Sequence, residues 1–330
     1  MVKYVIKRAL WMIPVLLCVI TLVFTITYFT PGDPVMVLLG QNNFTPEAYA
    51  KKSAELGLDK SYIGQITTYI WNIVSKLDLG KSYLTSIPVT NELAMRIPIT
   101  FRLSLMSIAL MIVVGLPLGM ISALKQYSVL DASLTSVSLI MAAMPAFVFA
   151  ILSMLLFGVI LQWLPTTGLE NWKGWILPVV SAAAGGVAVY MRMTRTTMLE
   201  VIRQDYIRTA RAKGLTESVV IRRHALINCL IPLITVVGAF IATVFSGSII
   251  VETIFNISGM GLYLMGGLLA RDYPIINGTV FVICVLVCTV NLCVDVCYAF
   301  IDPRIKAQFT TSRKKEKLLD EIMQVQKEVE

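Results

Sequence analysis

Eight cations fall within residues 192–229: Arg192, Arg195, Arg203, Arg208, Arg211, Lys213, Arg222 and Arg223. Buried in mid-bilayer they would cost about 3 kcal/mol each, roughly 24 kcal/mol together. Whatever surrounds this stretch, the stretch itself stands in water. A basic cluster of this kind can meet nucleic acid, anionic lipid or a protein. No aromatic interleaving supports nucleic acid. Glu200, Asp205 and Glu217 make the stretch a mediocre polybasic lipid anchor. A protein partner remains, beside the plain alternative that the charges only set membrane topology.

Groups for catalysis are scarce. His224 is the single histidine, and it reads as a surface or packing residue rather than a base. Cys18, Cys229, Cys284, Cys288, Cys293 and Cys297 form no C-x-x-C pair. They lack the extra ligands of a tetrahedral metal site and read as small apolar residues in helices. No G-x-x-x-x-G-K-[ST] occurs, so the chain holds no P-loop. Gly259-x-Gly261 follows an apolar run instead of a strand, which excludes a dinucleotide fingerprint. The expectation is a chain that is not an enzyme, with no cofactor and no metal.

The elements around the cluster follow from composition. Of 330 residues, 57% are hydrophobic and 15% charged, with a net charge of +8. A soluble domain carries about 25% charged residues, so the surface is mostly lipid-facing. Six runs are long enough to span a bilayer at about 20 residues each: Ala9–Phe29, Ser104–Leu124, Ser133–Leu161 with Pro145 inside it, Gly174–Met191, Leu230–Val251 and Ile275–Ile301. The first lacks a cleavage site and is read as an uncleaved anchor. With both termini inside, 19 of the 28 lysines and arginines fall on the inner side, as the positive-inside rule requires. Trp163, Trp172 and Trp175 then mark the outer interface.

The chain divides into an anchor (1–29), an outer segment with amphipathic helices (30–103), a five-span core (104–301) carrying the inner loop 192–229, and a basic tail (302–330). In the outer segment, Thr45-Pro46-Glu47 reads as a helix start and Gly57 as its stop. Ile63, Ile66, Tyr69, Ile70, Ile73, Val74 and Leu77 repeat at helical spacing. That helix either packs on the membrane domain or meets an external partner. In the inner loop, Met198–Lys213 predicts one helix, Gly214 a tight turn, and Thr216 the cap of a second helix bounded by Pro232. Ala210 and Ala212 would let another surface approach closely. Asn291 and Asp295 are polar residues inside the last span; a carboxylate there is functional or structurally paired, with Arg192 or Arg195 as the expected partner. Gly115-x-x-x-Gly119 either lets two helices approach or relieves crowding beside Pro117. Arg313–Lys317 and the apolar positions after it read as a short amphipathic tail helix.

Asp205-Tyr206-Ile207-Arg208-Thr209-Ala210-Arg211-Ala212-Lys213-Gly214-Leu215 resembles the EAA loop of ATP-binding-cassette importer permeases, in particular the dipeptide/oligopeptide/nickel family. Pro31-Gly32-Asp33-Pro34, Glu55-Leu56-Gly57-Leu58-Asp59-Lys60, Asp78-Leu79-Gly80, Met191-Arg192-Met193-Thr194-Arg195, Glu252-Thr253-Ile254-Phe255 with Gly259-Met260-Gly261, Arg271-Asp272-Tyr273-Pro274, and Asn291, Asp295 and Asp302-Pro303-Arg304 resemble further motifs of that family, in order along the chain. Where the wider importer pattern has Glu-Ala-Ala, this chain has Arg208-Thr209-Ala210. The resemblance implies an all-α, six-span type I importer fold in a bacterial inner membrane. It also implies three kinds of company besides membrane lipid: a second related permease, two cytoplasmic ATP-binding-cassette ATPases, and an extracytoplasmic solute-binding protein. Nucleic acid is not among them. The rival function is an ion-coupled secondary transporter, which would want more membrane charges and an internal repeat of broken helices.

Overall fold

The computed structural model describes residues 2–39 and 45–301, so the Asp302-Pro303-Arg304 motif and the tail helix lie outside the described residues. The regular elements among these residues are helical, apart from one isolated antiparallel bridge between Lys81 and Pro88. Helix α1 (Val2–Phe29) is the first span. The outer segment then folds as α2 (Pro34–Leu39), α3 (Pro46–Leu56) and α4 (Tyr62–Lys76). Thr45 caps α3 by accepting from the Ala48 amide, and Gly57 ends it in the left-handed region at φ 69°.

Helix α5 (Val89–Leu124) is the second span and is 36 residues long. The third crossing breaks at the proline the sequence places inside it. It is not one straight span but a pair, α6 (Val129–Ala143) and α7 (Ala146–Ser153) with a π-helical continuation, bent by 106°. Proline at 145 pushes Met144 out of helical geometry, to φ −79° and ψ 125°. Helix α8 (Ile176–Ile202) is the fourth span and runs well past Met191 into the inner loop. The loop holds α9 (Asp205–Ala212), the single turn α10 (Glu217–Val219) and a π-helical turn over Val220–Ala225. That turn feeds directly into α11 (Leu226–Ile254), the fifth span. Pro232 therefore lies inside α11, with a 49° bend there, and does not bound a separate helix. A short outer helix, α12 (Met260–Ala270), precedes the last span, α13 (Tyr273–Ile301).

Glycine decides how closely the spans pack. A Cβ at Gly119 would collide with the Met191 carbonyl and the Thr194 side chain, and one at Gly115 would press on Tyr190. The G-x-x-x-G pair thus marks the crossing of α5 and α8, the first of the two sequence alternatives. Gly186 of α8 makes the same accommodation for the Phe240 ring of α11. Helices α1 and α13 run antiparallel, joined by Thr27 Oγ1 donating to Asn277 Oδ1 at 3.2 Å near one end and by Arg8 with Asp295 at the other. Arg203 Nη2 donates to Gln126 Oε1 at 3.5 Å, which brings the 125–128 turn to the start of the 203–225 loop.

Candidate coupling loop and transport path

The inner loop is not one continuous rod. Arg203 and Gln204 break it after Ile202, with Gln204 extended at φ −71° and ψ 150°, so α9 leaves the stem of α8 at an angle. Neither residue is a helix breaker, and this is why the sequence reads through the break. Ile207 and Ala210 turn inward. They join a buried cluster with Met198 of α8, Val220, Ile221 and Ala225 of the π turn, and Cys229 and Leu233 of α11. Ala210 therefore serves packing within the chain and is not offered to a partner; Ala212 is exposed. The remaining matched positions, Asp205, Tyr206, Arg208, Thr209, Arg211, Lys213, Gly214 and Leu215, are exposed.

Gly214 makes the turn in the left-handed region at φ 77°, with its amide donating to the Arg211 carbonyl at 2.9 Å. No atom lies within 4 Å of where its Cβ would stand, so the backbone conformation alone, not crowding, demands glycine. Arg211 closes the turn from outside with a two-pronged pair to Glu217, at 3.1 and 2.7 Å. Each partner favours the other's charged form: the carboxylate raises Arg211 above its ordinary value, and the guanidinium lowers Glu217 below its own.

The loop's stem is tied to the rest of the inner face by an acid that sequence reasoning passed over. Asp131 is buried at the start of α6 and receives Arg195 Nε at 2.7 Å and Nη2 at 2.8 Å. Ser122 and the Tyr127 amide also donate to it. Arg195 is thus committed to Asp131. The partner of Asp295 is Arg8, at 2.7 Å, instead of the expected Arg192 or Arg195. Asn291 sits one turn before Asp295, half-buried on the same helix face. His224 is half-buried in the π turn, and its carbonyl accepts from Asn228 Nδ2 at 2.8 Å.

At the opposite end the recurring motifs converge. Glu252 is fully buried; its carboxylate accepts from Thr100 Oγ1 at 2.7 Å and from the amides of Gly261 at 2.6 Å and Leu262 at 3.3 Å, at the start of α12. Thr100 Oγ1 in turn accepts from the Met260 amide at 2.9 Å. Thr100 belongs to no motif, and nothing in the sequence signalled it. Asp272 is buried and accepts from Ser82 Oγ at 2.6 Å and the Leu84 amide at 3.3 Å. Asp33 accepts from Tyr49 Oη at 2.6 Å, which raises the Tyr49 phenol above its ordinary value. Tyr273 Oη donates to the Gly32 carbonyl at 3.0 Å. The Asp33–Tyr49 and Tyr273–Gly32 contacts border a polar cleft of about 730 Å³ between α3, α4 and the outer ends of α1 and α13.

Between the two ends, a cavity of about 360 Å³ lies where the α6–α7 bend opens against α8 and α11. Met141, Met144, Phe149, Gly185, Phe240 and Thr243 line it among others, and none of its lining residues is charged. Among the described residues no cluster of three or more His, Cys, Asp or Glu is suited to a metal ion.

Residues 115–307 match the family model of the binding-protein-dependent transport system inner membrane component, and residues 1–104 match the N-terminal model of such membrane components. The chain is 38% identical to the glutathione transport system permease protein of Pectobacterium atrosepticum, covering 93% of this chain and 99% of that one. It is 35% identical to the dipeptide transport system permease protein of Escherichia coli K12, with the same coverage. Among solved structures, an inward-facing conformation of the MetNI methionine ABC transporter aligns with a TM-score of 0.57 at 18% identity, over 64% of this chain and 97% of that one. That likeness is one of fold.

Proposed function

The chain belongs to the family of binding-protein-dependent transport system inner membrane components, and from that premise we propose that it is half of the translocation path of an ATP-driven importer of peptides or similar small solutes. It is a permease subunit and a multi-pass protein of the bacterial inner membrane. A second, related permease completes the path, two ATPases bind on the cytoplasmic side, and a solute-binding protein delivers cargo from outside. Both termini lie in the cytoplasm, in keeping with the 19 basic residues on that side. The 360 Å³ cavity is this chain's contribution to the path. Its methionines and its two phenylalanines suit cargo of varied side chains, because thioethers repack around different shapes.

One observation carries the coupling role. The short helix α9 and the Gly214 turn expose a continuous polar surface, yet their inner side is cemented to the stems of α8 and α11. A partner pushing on that surface moves two spans as a body, and rigid coupling of this kind switches a bistable bundle. Asp205, Tyr206, Arg208, Thr209, Arg211, Ala212, Lys213, Gly214 and Leu215 are its contact surface; Ala210 supports it from within. Asp295, paired with Arg8, serves as a strut between α1 and α13 in this reading.

The test is Gly214→Val in the reconstituted complex. Membrane insertion and assembly are expected to persist while ATP-dependent uptake is lost. Normal uptake by this variant would remove α9 from the coupling role. Solute movement driven by a proton gradient in liposomes holding this chain without ATPases would overturn the importer reading.

A further inference from the structure

Helix α4 has three faces, and only two of them are occupied. Taking about 100° per residue and Ile66 as zero, Ile66 and Ile73 are buried against the spans. Gln65, Thr68 and Asn72 lie on one flank, about 100–160° away in one sense, and line the 730 Å³ polar cleft. Ile63, Val74 and Trp71 lie on the other flank, about 60–140° away in the opposite sense. That flank is bare: Ile63 is 70% exposed, Trp71 68% and Val74 70%, and Leu77 at the helix end is 76% exposed.

The contacts of α4 with the first span fix its depth. Tyr62 Oη lies 2.7 Å from Thr25 Oγ1, and the Tyr62 ring packs edge-on against Tyr28 at 5.1 Å. Further along, the Tyr69 ring lies 5.7 Å from that of Phe24, and Ile73 shares a buried cluster with Ile20. The helix therefore lies beside the outer turns of the first span, at the level of Phe24 to Tyr28. The span ends at Phe29, so these contacts lie within about 8 Å of the outer end of an apolar helix. A helix lying in the boundary between headgroups and acyl chains is buried about 5–10 Å deep, with tryptophan, leucine or phenylalanine facing the chains.

We propose that the Ile63–Trp71–Val74 flank of α4 contacts outer-leaflet lipid, so that α4 is an interfacial helix and the outer segment rests on the bilayer. The polar flank then faces water across the cleft. The lipid occupant follows from continuity: the flank adjoins a membrane span at a depth where lipid is the solvent. It leaves the cleft side, not this flank, as the part of the outer segment accessible to a soluble protein.

The test uses the assembled complex in nanodiscs containing a phospholipid with a diazirine in the upper acyl chain. After illumination, mass spectrometry locates labelled residues. Labelling of Ile63, Trp71 or Val74 at a yield within about threefold of the lipid-facing span residues, with Gln65, Thr68 and Asn72 at background, is the expected result. Absence of label from residues 62–77 while the spans are labelled would overturn the proposal. So would labelling of Trp71 by a water-soluble carbene precursor that a solute-binding protein then blocks, since this result assigns the flank to a protein partner. Neither readout depends on transport, so the coupling proposal is untouched by failure here.

Discussion

The two ends of the bundle spend their polar groups in opposite ways. At the outer end, the carboxylates of Glu252 and Asp272 are buried and accept bonds from side chains and backbone amides of distant segments. At the inner loop, Asp205, Arg208, Lys213 and their neighbours are exposed, and the loop is held mainly by apolar contacts of Ile207 and Ala210. A buried, satisfied carboxylate resists rearrangement, because each freed donor would stay dry and unpaired. An exposed, solvated surface is cheap to cover and uncover. The outer end is built to keep its shape within this chain, whereas the inner loop, in the role proposed for it, is completed by another.

The largest expected effect lies at the outer end. Glu252→Ala strands Thr100 Oγ1 and two amides in a dry site, at about 1–3 kcal/mol for each unmade bond. A drop of roughly 3–5 kcal/mol follows, read as a fall in the thermal midpoint of the purified permease by size-exclusion after heating. A variant that melts like the parent would break the contrast, since the carboxylate would then be a bystander. Next comes the inner strut. Asp131→Ala leaves Arg195 without its pair, at about 3 kcal/mol, near the low end for a buried pair because Arg195 keeps some access to water. The double replacement Asp131→Arg with Arg195→Asp is expected to regain part of that loss. An Asp131→Ala chain as stable as the parent would mean the stem of α8 needs no brace.

Both acids also measure what a sequence can reveal. The six apolar runs are legible because lipid demands length and apolarity, and neither can be disguised. The glycine turn at 214 is legible because a left-handed backbone selects its residue. The 106° bend at Met144–Pro145 is half-legible: the proline is visible, but whether it kinks or breaks a span depends on the cavity against which α7 packs. Pairings are hidden. Asp295 meets a residue from the first turns of the chain, and Asp131 meets one at the far end of the next span, and no local spacing encodes either. The break at Arg203–Gln204 is hidden for another reason: the apolar cluster draws Ile207 and Ala210 inward, overriding residues that favour a continued helix.

A smaller effect is expected at the Gly214 turn itself. A left-handed conformation costs an ordinary L-residue about 1–2 kcal/mol, and Gly214→Ala carries that cost without any clash. Its stability loss is expected to be well below that of Glu252→Ala in the same melting assay. Uptake is expected to be reduced less than in Gly214→Val, whose branched side chain resists this backbone region more. Equal uptake in the two variants would say that the turn's shape does not matter to coupling.

The smallest effect separates stability from contact. Arg211 and Glu217 form a well-aligned pair, but both side chains are substantially exposed, at 40% and 58%. Water and salt screen such a pair, so Arg211→Ala is expected to cost under about 1 kcal/mol and to leave the melting midpoint nearly unchanged. If the exposed loop is a docking surface, the same change removes a cation from the interface and leaves Glu217 uncompensated there. ATP-dependent uptake in the reconstituted complex is then expected to fall while stability does not, and the fall to deepen as ionic strength is lowered, because repulsive fields at an interface are least screened there. Uptake and stability changing together would place Arg211 with Glu252 and Asp131 among groups that only hold the chain in shape. The division between a self-sufficient outer end and a partner-dependent inner loop would then have to be redrawn around α9 alone.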